Sequence, residues 1–199
     1  MGQRGHSTQT RITGAVRCLR AAACACALAL GLAPTVASAA NNIDSTTTAV
    51  VIEPLTLIKL VDMDFGNLIV PTVNSTITIN PTVSPTCTIT NGMIHTGACQ
   101  PAVFMGLGED GRRINVNRPN APIVISNGAQ TMNIDPVILN GDPNLVYVSG
   151  NVNGNGVVKY DINSPSGLFS FRLGGTLTVN AGQATGLYTG TFNVSVQYF

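Results

Sequence analysis

Residues Gly186–Phe199 read GLYTGTFNVSVQYF. Tyr188, Gly190, Phe192, Val194, Val196 and Tyr198 take every second place, and Thr189, Thr191, Asn193, Ser195 and Gln197 fill the gaps. Successive side chains of an extended strand point to opposite faces, so the stretch predicts a strand with one apolar face and one hydroxyl-and-amide face. It is the clearest periodicity in the sequence, and the sequence closes on it with two aromatics. What pairs with such a strand becomes the question for the whole chain.

Working outward, no segment beyond residue 40 carries a convincing helical period. Short alternating or β-branched runs recur instead. Thr46–Ile52, Leu55–Leu60, Asn67–Val70, Ser75–Asn80, Cys87–Thr90, Ala102–Gly106, Arg113–Asn117 and Pro122–Ser126 read as strands. So do Thr131–Asp135, Tyr147–Val152, Gly156–Asp161, Gly167–Leu173 and Thr176–Val179, the last two separated by Gly174-Gly175. Turn signals such as Gly108-Glu109-Asp110-Gly111 and Ala181-Gly182-Gln183 punctuate them, a spacing that predicts an all-β sandwich or barrel.

The first 39 residues read differently. Arg4, Arg11, Arg17 and Arg20 precede the apolar Ala21–Leu32, then Pro34 and the small residues Ala37-Ser38-Ala39. That is the layout of a secretory signal peptide, with an apolar run too short for a membrane span. The expectation is an exported chain starting near Ala40, of about 160 residues, enough for one domain. All nine acids and only six of the ten basic residues lie in it, leaving a net charge of about −3. That is no footprint for nucleic acid or an acidic membrane surface. Cys87 and Cys99 remain after signal removal, and an even pair in an exported chain suggests a disulfide. Free thiols and a metal site are the alternatives, and for a metal His95 is the one further ligand nearby.

Sites of chemistry are sparse. Asp62 and Asp64 would share a strand face but lack further oxygen ligands at useful spacing. Asp64-Phe65-Gly66 copies a kinase triplet without its context, so Phe65 reads as a core anchor beside a turn glycine. Gly106–Arg113 is glycine-rich but has no Lys-Ser/Thr and no following helix. Asn74-Ser75-Thr76 and Asn193-Val194-Ser195 match the glycosylation pattern by letters. His95 is the one base suited to neutral pH in the exported chain, and it falls within the loop the cysteines would close. No catalytic residue, metal site or cofactor is expected.

Pro54-Leu55-Thr56-Leu57, Met63-Asp64-Phe65-Gly66, Gly108-Glu109 with Gly111, Leu173-Gly174-Gly175-Thr176-Leu177 and the closing Gly186-Leu187-Tyr188-Thr189-Gly190-Thr191-Phe192 stand in a recognisable order. This order resembles the bacterial domain of unknown function 4402 family over essentially the whole mature chain. The layout is also similar to spore-coat-U-like domains and archaic chaperone–usher pilins. The resemblance to pilins implies an immunoglobulin-like β-sandwich of about 7–10 short strands, lacking its last strand and polymerised by strand donation at the cell surface. Its implied partners are identical or related subunits, a periplasmic chaperone and an outer-membrane usher. The residues it points to for subunit or chaperone contact are Gly186, Phe192, Val194, Val196, Tyr198 and Phe199. The candidate donor strand is Asn41–Ile52, with Thr46, Thr48, Val50 and Ile52 on one face. The competing expectation is a self-contained exported sandwich, a surface or matrix protein that binds glycans.

Overall fold

The computed structural model describes residues 49, 51–120 and 122–199. The expected signal peptide, and Thr46, Thr48 and Val50 of the candidate donor strand, lie outside the described residues. Ala49, Val51 and Ile52 carry no strand, contrary to the periodicity of Thr46–Ile52. Nothing in the described chain offers them a ladder.

Among the described residues there are thirteen strand segments and no helix. They are β1 (Thr56–Val61), β2 (Asn67–Leu68), β3 (Ser75–Asn80), β4 (Thr86–Ile89), β5 (His95–Thr96), β6 (Ala102–Leu107) and β7 (Arg113–Asn117). Then come β8 (Ile123–Ser126), β9 (Thr131–Gly141), β10 (Leu145–Gly150), β11 (Val157–Ile162), β12 (Leu168–Val179) and β13 (Ser195–Tyr198). All pairings are antiparallel. One sheet runs β1-β6-β12-β3-β4, with β9 and then β8 added beside β12. A second runs β10-β11-β7-β13, and β2 pairs with β5 apart from both.

Alternation builds the core. Ile77 and Ile79 of β3, and Phe169, Phe171, Leu173 and Leu177 of β12, are buried from the first sheet. Ile114 and Val116 of β7, and Val158, Tyr160 and Ile162 of β11, are buried from the second. All belong to one cluster, so the two sheets pack face to face as a sandwich. Phe104 and Phe171 stack at its centre with ring centroids 5.2 Å apart. Each such side chain contributes on the order of 1.5–3 kcal/mol on leaving water.

Two elements are longer than the sequence reading. Gly174-Gly175 does not interrupt a strand but lies inside β12. A Cβ at Gly174 would sit 2.2 Å from the Ile79 carbonyl oxygen, and one at Gly175 would meet Ile134 at 2.6 Å. The glycines sit where β12 exchanges neighbours: it pairs with β6 up to Leu173 and with β3 from Gly175. β9 likewise continues past Pro136 to Gly141. Gly175 faces Val137 and Leu177 faces Ile134, so Asp135 and Pro136 together oppose Thr176 in a bulge. A bulge is where a strand accommodates a residue without an N–H.

The closing stretch is shorter as a ladder than its alternation predicts. Burial alternates from Thr191 to Phe199, with Phe192, Val194, Val196 and Tyr198 half-buried, and Tyr188 is half-buried before the exposed Thr189–Thr191. Yet only Ser195–Tyr198 pairs with β7, and Thr189 exchanges two backbone hydrogen bonds with Ser126 of β8, at 2.9 and 3.0 Å. Gly190–Val194 make no backbone hydrogen bond with a described residue. On the facing side Gly190 abuts Val124 and Ile125 of β8, a strand laddered to β9, without pairing with them.

Candidate functional site: an apolar cleft beside the closing segment

A cleft of about 610 Å³ lies between Asp62–Val70 on one wall and Gln183–Phe192 on the other. Ile123 and Ile125 of β8, Met132 and Ile134 of β9, and Leu177 and Val179 of β12 line it between those walls. Each pair takes alternate places on its strand, which turns both side chains to one face. Phe65 and Leu68 enter from the first wall, Tyr188 and Phe192 from the second.

Local chemistry fixes both walls. The Asp64 carboxylate accepts the Gly66 N–H at 2.8 Å, closing a tight turn in which Gly66 adopts φ +68°. Asp64 also exchanges backbone hydrogen bonds with Gln100, at 2.8 and 2.9 Å. A Cβ at Gly66 would stand 2.7 Å from the Thr96 carbonyl oxygen and 2.8 Å from His95 Nε2, so only glycine lets β5 settle onto this turn. On the other wall, the buried Gln183 amide donates to Tyr188 Oη at 2.9 Å, and Tyr188 donates to the Ala184 carbonyl at 2.9 Å. Gln130 Oε1 accepts the Ala184 N–H at 2.7 Å. Gly186 follows at φ +141°, a conformation L-residues rarely take, and a Cβ there would lie 3.4 Å from Asn127 Nδ2. Gly190 presses on β8, where a Cβ would fall 2.4 Å from the Val124 carbonyl oxygen.

The predicted contact residues separate into three groups. Gly186 and Phe192 line the cleft. Val194, Val196 and Tyr198 continue the same face but pack against the core. Tyr198 Oη accepts the Glu109 N–H at 2.8 Å and donates to the Glu53 carbonyl at 3.1 Å, tying the last strand to the chain before β1. Arg112 lies over its ring at 5.5 Å. Phe199 is 69% exposed, with the Lys159 ammonium 3.9 Å from its ring centre. Ile52 is exposed and outside any ladder. The sequence reading missed the whole Asp62–Val70 wall. The alternation of Ile123/Ile125 and Met132/Ile134 marks buried faces without saying that they border a gap.

Cys87 and Cys99 form a disulfide, with Cα atoms 5.7 Å apart. It joins β4 to the chain just before β6. His95 is not a cleft residue; its Nε2 lies 3.8 Å from Cys99 Sγ. Away from the cleft, Arg118 is 4% exposed and has no carboxylate partner among the described residues. Its guanidinium donates to the carbonyls of Val137 at 2.8 Å, Val152 at 3.0 Å, Gly156 at 3.3 Å and Asn151. Burial holds its pKa below the usual arginine value.

A family model described as Domain of unknown function (DUF4402) matches residues 55–198. No curated protein and no solved structure matches the chain.

Proposed function

We propose that this chain, which belongs to the DUF4402 family, is an exported, non-enzymatic structural subunit of a fimbria-like or pilus-like polymer at the cell surface. Its immunoglobulin-like sandwich lacks a final strand, and Asn41–Ile52 of a neighbouring copy supplies one. The observation that carries this reading is the apolar cleft beside a closing segment whose backbone is unladdered from Gly190 to Val194. Those backbone groups and the Ile–Met–Leu lining would accept an incoming strand through hydrogen bonds and apolar contact together. Asn41–Ile52 contains no Gly or Pro and one charge, Asp44. Two or three of its aliphatic side chains, at roughly 1.5–3 kcal/mol each, would give a useful association. A periplasmic chaperone would cover the cleft in transit, and an outer-membrane usher would direct export.

The second reading, a self-contained sandwich acting at the surface or in a matrix, is favoured by one contact. The Tyr198–Glu53 hydrogen bond leads the chain before β1 along its own last strand. Size analysis separates the two. Mature protein freed of a co-expressed chaperone should grow into polymers, and deletion of residues 41–51 should leave a chaperone-bound, folded subunit that stays single. Polymers from the deletion variant, or a wild-type chain monomeric at every concentration, would refute strand donation.

A further inference from the structure

We propose that Cys87, Cys99 and His95 form a three-ligand site for a thiophilic d¹⁰ cation, Cu(I) or Zn(II), which the reduced protein takes in place of the disulfide. The two Sγ atoms and an imidazole nitrogen lie within 4.8 Å of one another, and all three residues are half-buried. Zinc–sulfur and zinc–nitrogen bond lengths place tetrahedral ligands roughly 3.3–3.8 Å apart. His95 Nε2 already stands 3.8 Å from Cys99 Sγ. The sulfurs must separate on reduction, and a Cα spacing of 5.7 Å leaves side-chain rotation room to do it.

Each ligand is held by backbone pairing that does not depend on the sulfur–sulfur bond. Cys87 sits in β4 opposite Ile79, His95 sits in β5 opposite Leu68, and Cys99 precedes the Asp64–Gln100 pairing. Cutting the disulfide therefore leaves three ligands still arrayed. Gly66 contributes by absence, because any Cβ there would stand 2.8 Å from His95 Nε2. Thiolate and imidazole together select soft and borderline cations over calcium or magnesium. Leu68 lines the cleft and pairs with His95, so a bound ion would keep β5 fastened to the cleft wall.

The exchange balances with an external dithiol as reductant. The dithiol gives two electrons and two protons, the Cys87–Cys99 bond becomes two thiols, and the reagent closes to a cyclic disulfide. The cation then displaces two thiol protons, and for Zn(II) two thiolates cancel its charge while water completes the fourth position.

The test uses the full mature chain, reduced by a dithiol, freed of it anaerobically and titrated with Zn(II) alone. Reduced wild type should bind one equivalent and the oxidised protein none. His95→Gln should weaken binding at least ~10-fold, since losing even an outer-shell partner typically costs that much. Circular dichroism of each reduced sample checks the fold, which should survive reduction; a spectrum lost on reduction would overturn the preformed site. No binding by reduced wild type, equal affinity in His95→Gln, or a disulfide that resists the dithiol in the folded protein would overturn it.

Discussion

Tyr198→Phe isolates one oxygen atom where the last strand meets the segment before β1. The ring stays, with its packing and the Arg112 guanidinium above it. Two hydrogen bonds go, one from the Glu109 N–H at 2.8 Å and one to the Glu53 carbonyl at 3.1 Å. They are not equivalent. The Glu53 bond lies in an exposed setting, so water replaces the lost donor at little cost. The Glu109 bond is half-buried, and a donor left unpaired there costs about 1–2 kcal/mol. For a domain of this size that lowers Tm by roughly 2–8 °C. Urea unfolding gives the free energy, and amide exchange at Glu109 shows where it comes from. A variant as stable as wild type, with the Glu109 amide still protected, would refute the assignment. So would a loss above about 4 kcal/mol, which one half-buried bond cannot supply.

Four further outcomes follow from the same reasoning. Gly186→Ala should cost about 1–3 kcal/mol, nearly as much as Gly186→Val, because φ +141° rather than space is the constraint; wild-type melting of the Ala variant would contradict this. Gly190→Val should push the closing segment off β8 and cost about 1–3 kcal/mol, seen as lost exchange protection at Thr189 and Ser126. Arg118→Met should destabilise by roughly 1–3 kcal/mol in urea, because the carbonyls of Val137, Val152 and Gly156 keep a backbone N–H donor and that of Asn151 loses the guanidinium, with Arg118→Lys between it and wild type; a Met variant of wild-type stability would disprove the role. Burial pushes the Tyr160 hydroxyl up to about 12, so its stabilisation is complete below pH ~10 and is lost as pH rises from 10 through 12. Ultraviolet titration should find one late-ionising tyrosine, absent in Tyr160→Phe.

Sequence alternation located most strands because a sandwich strand has one buried face, and Ser75–Asn80 and Arg113–Asn117 end where their periods end. It failed where partners matter. Gly174-Gly175 and Pro136 look like breaks when read singly. In the sheet they are the close approach and the bulge that let long strands continue. The closing segment erred the other way: a period from Tyr188 to Tyr198 could not reveal that its ladder with β7 covers only Ser195–Tyr198. Of the residues singled out for partner contact, Gly186 and Phe192 line the cleft, and Val194, Val196 and Tyr198 pack against the core instead. The Asp62–Val70 wall was not legible, because it is shaped by pairing with β5 and Gln100, about 25–35 residues further along the chain.

The neighbour exchange along β12 has a kinetic consequence. Its residues join β6, β3 and β9, so three strand edges stay open until β12 arrives. The Thr78 and Thr176 hydroxyls that meet at 2.8 Å are 98 residues apart in the chain. Contacts of such reach slow folding, since a long loop must close before they form. A chain synthesised from its N-terminus delivers β3, β6 and β9 before β12. During that interval the nascent sheet carries unpaired edges and bare Ile77 and Ile79. The lifetime of that state, more than the stability of the finished sandwich, would set how much protein is lost to aggregation before it folds.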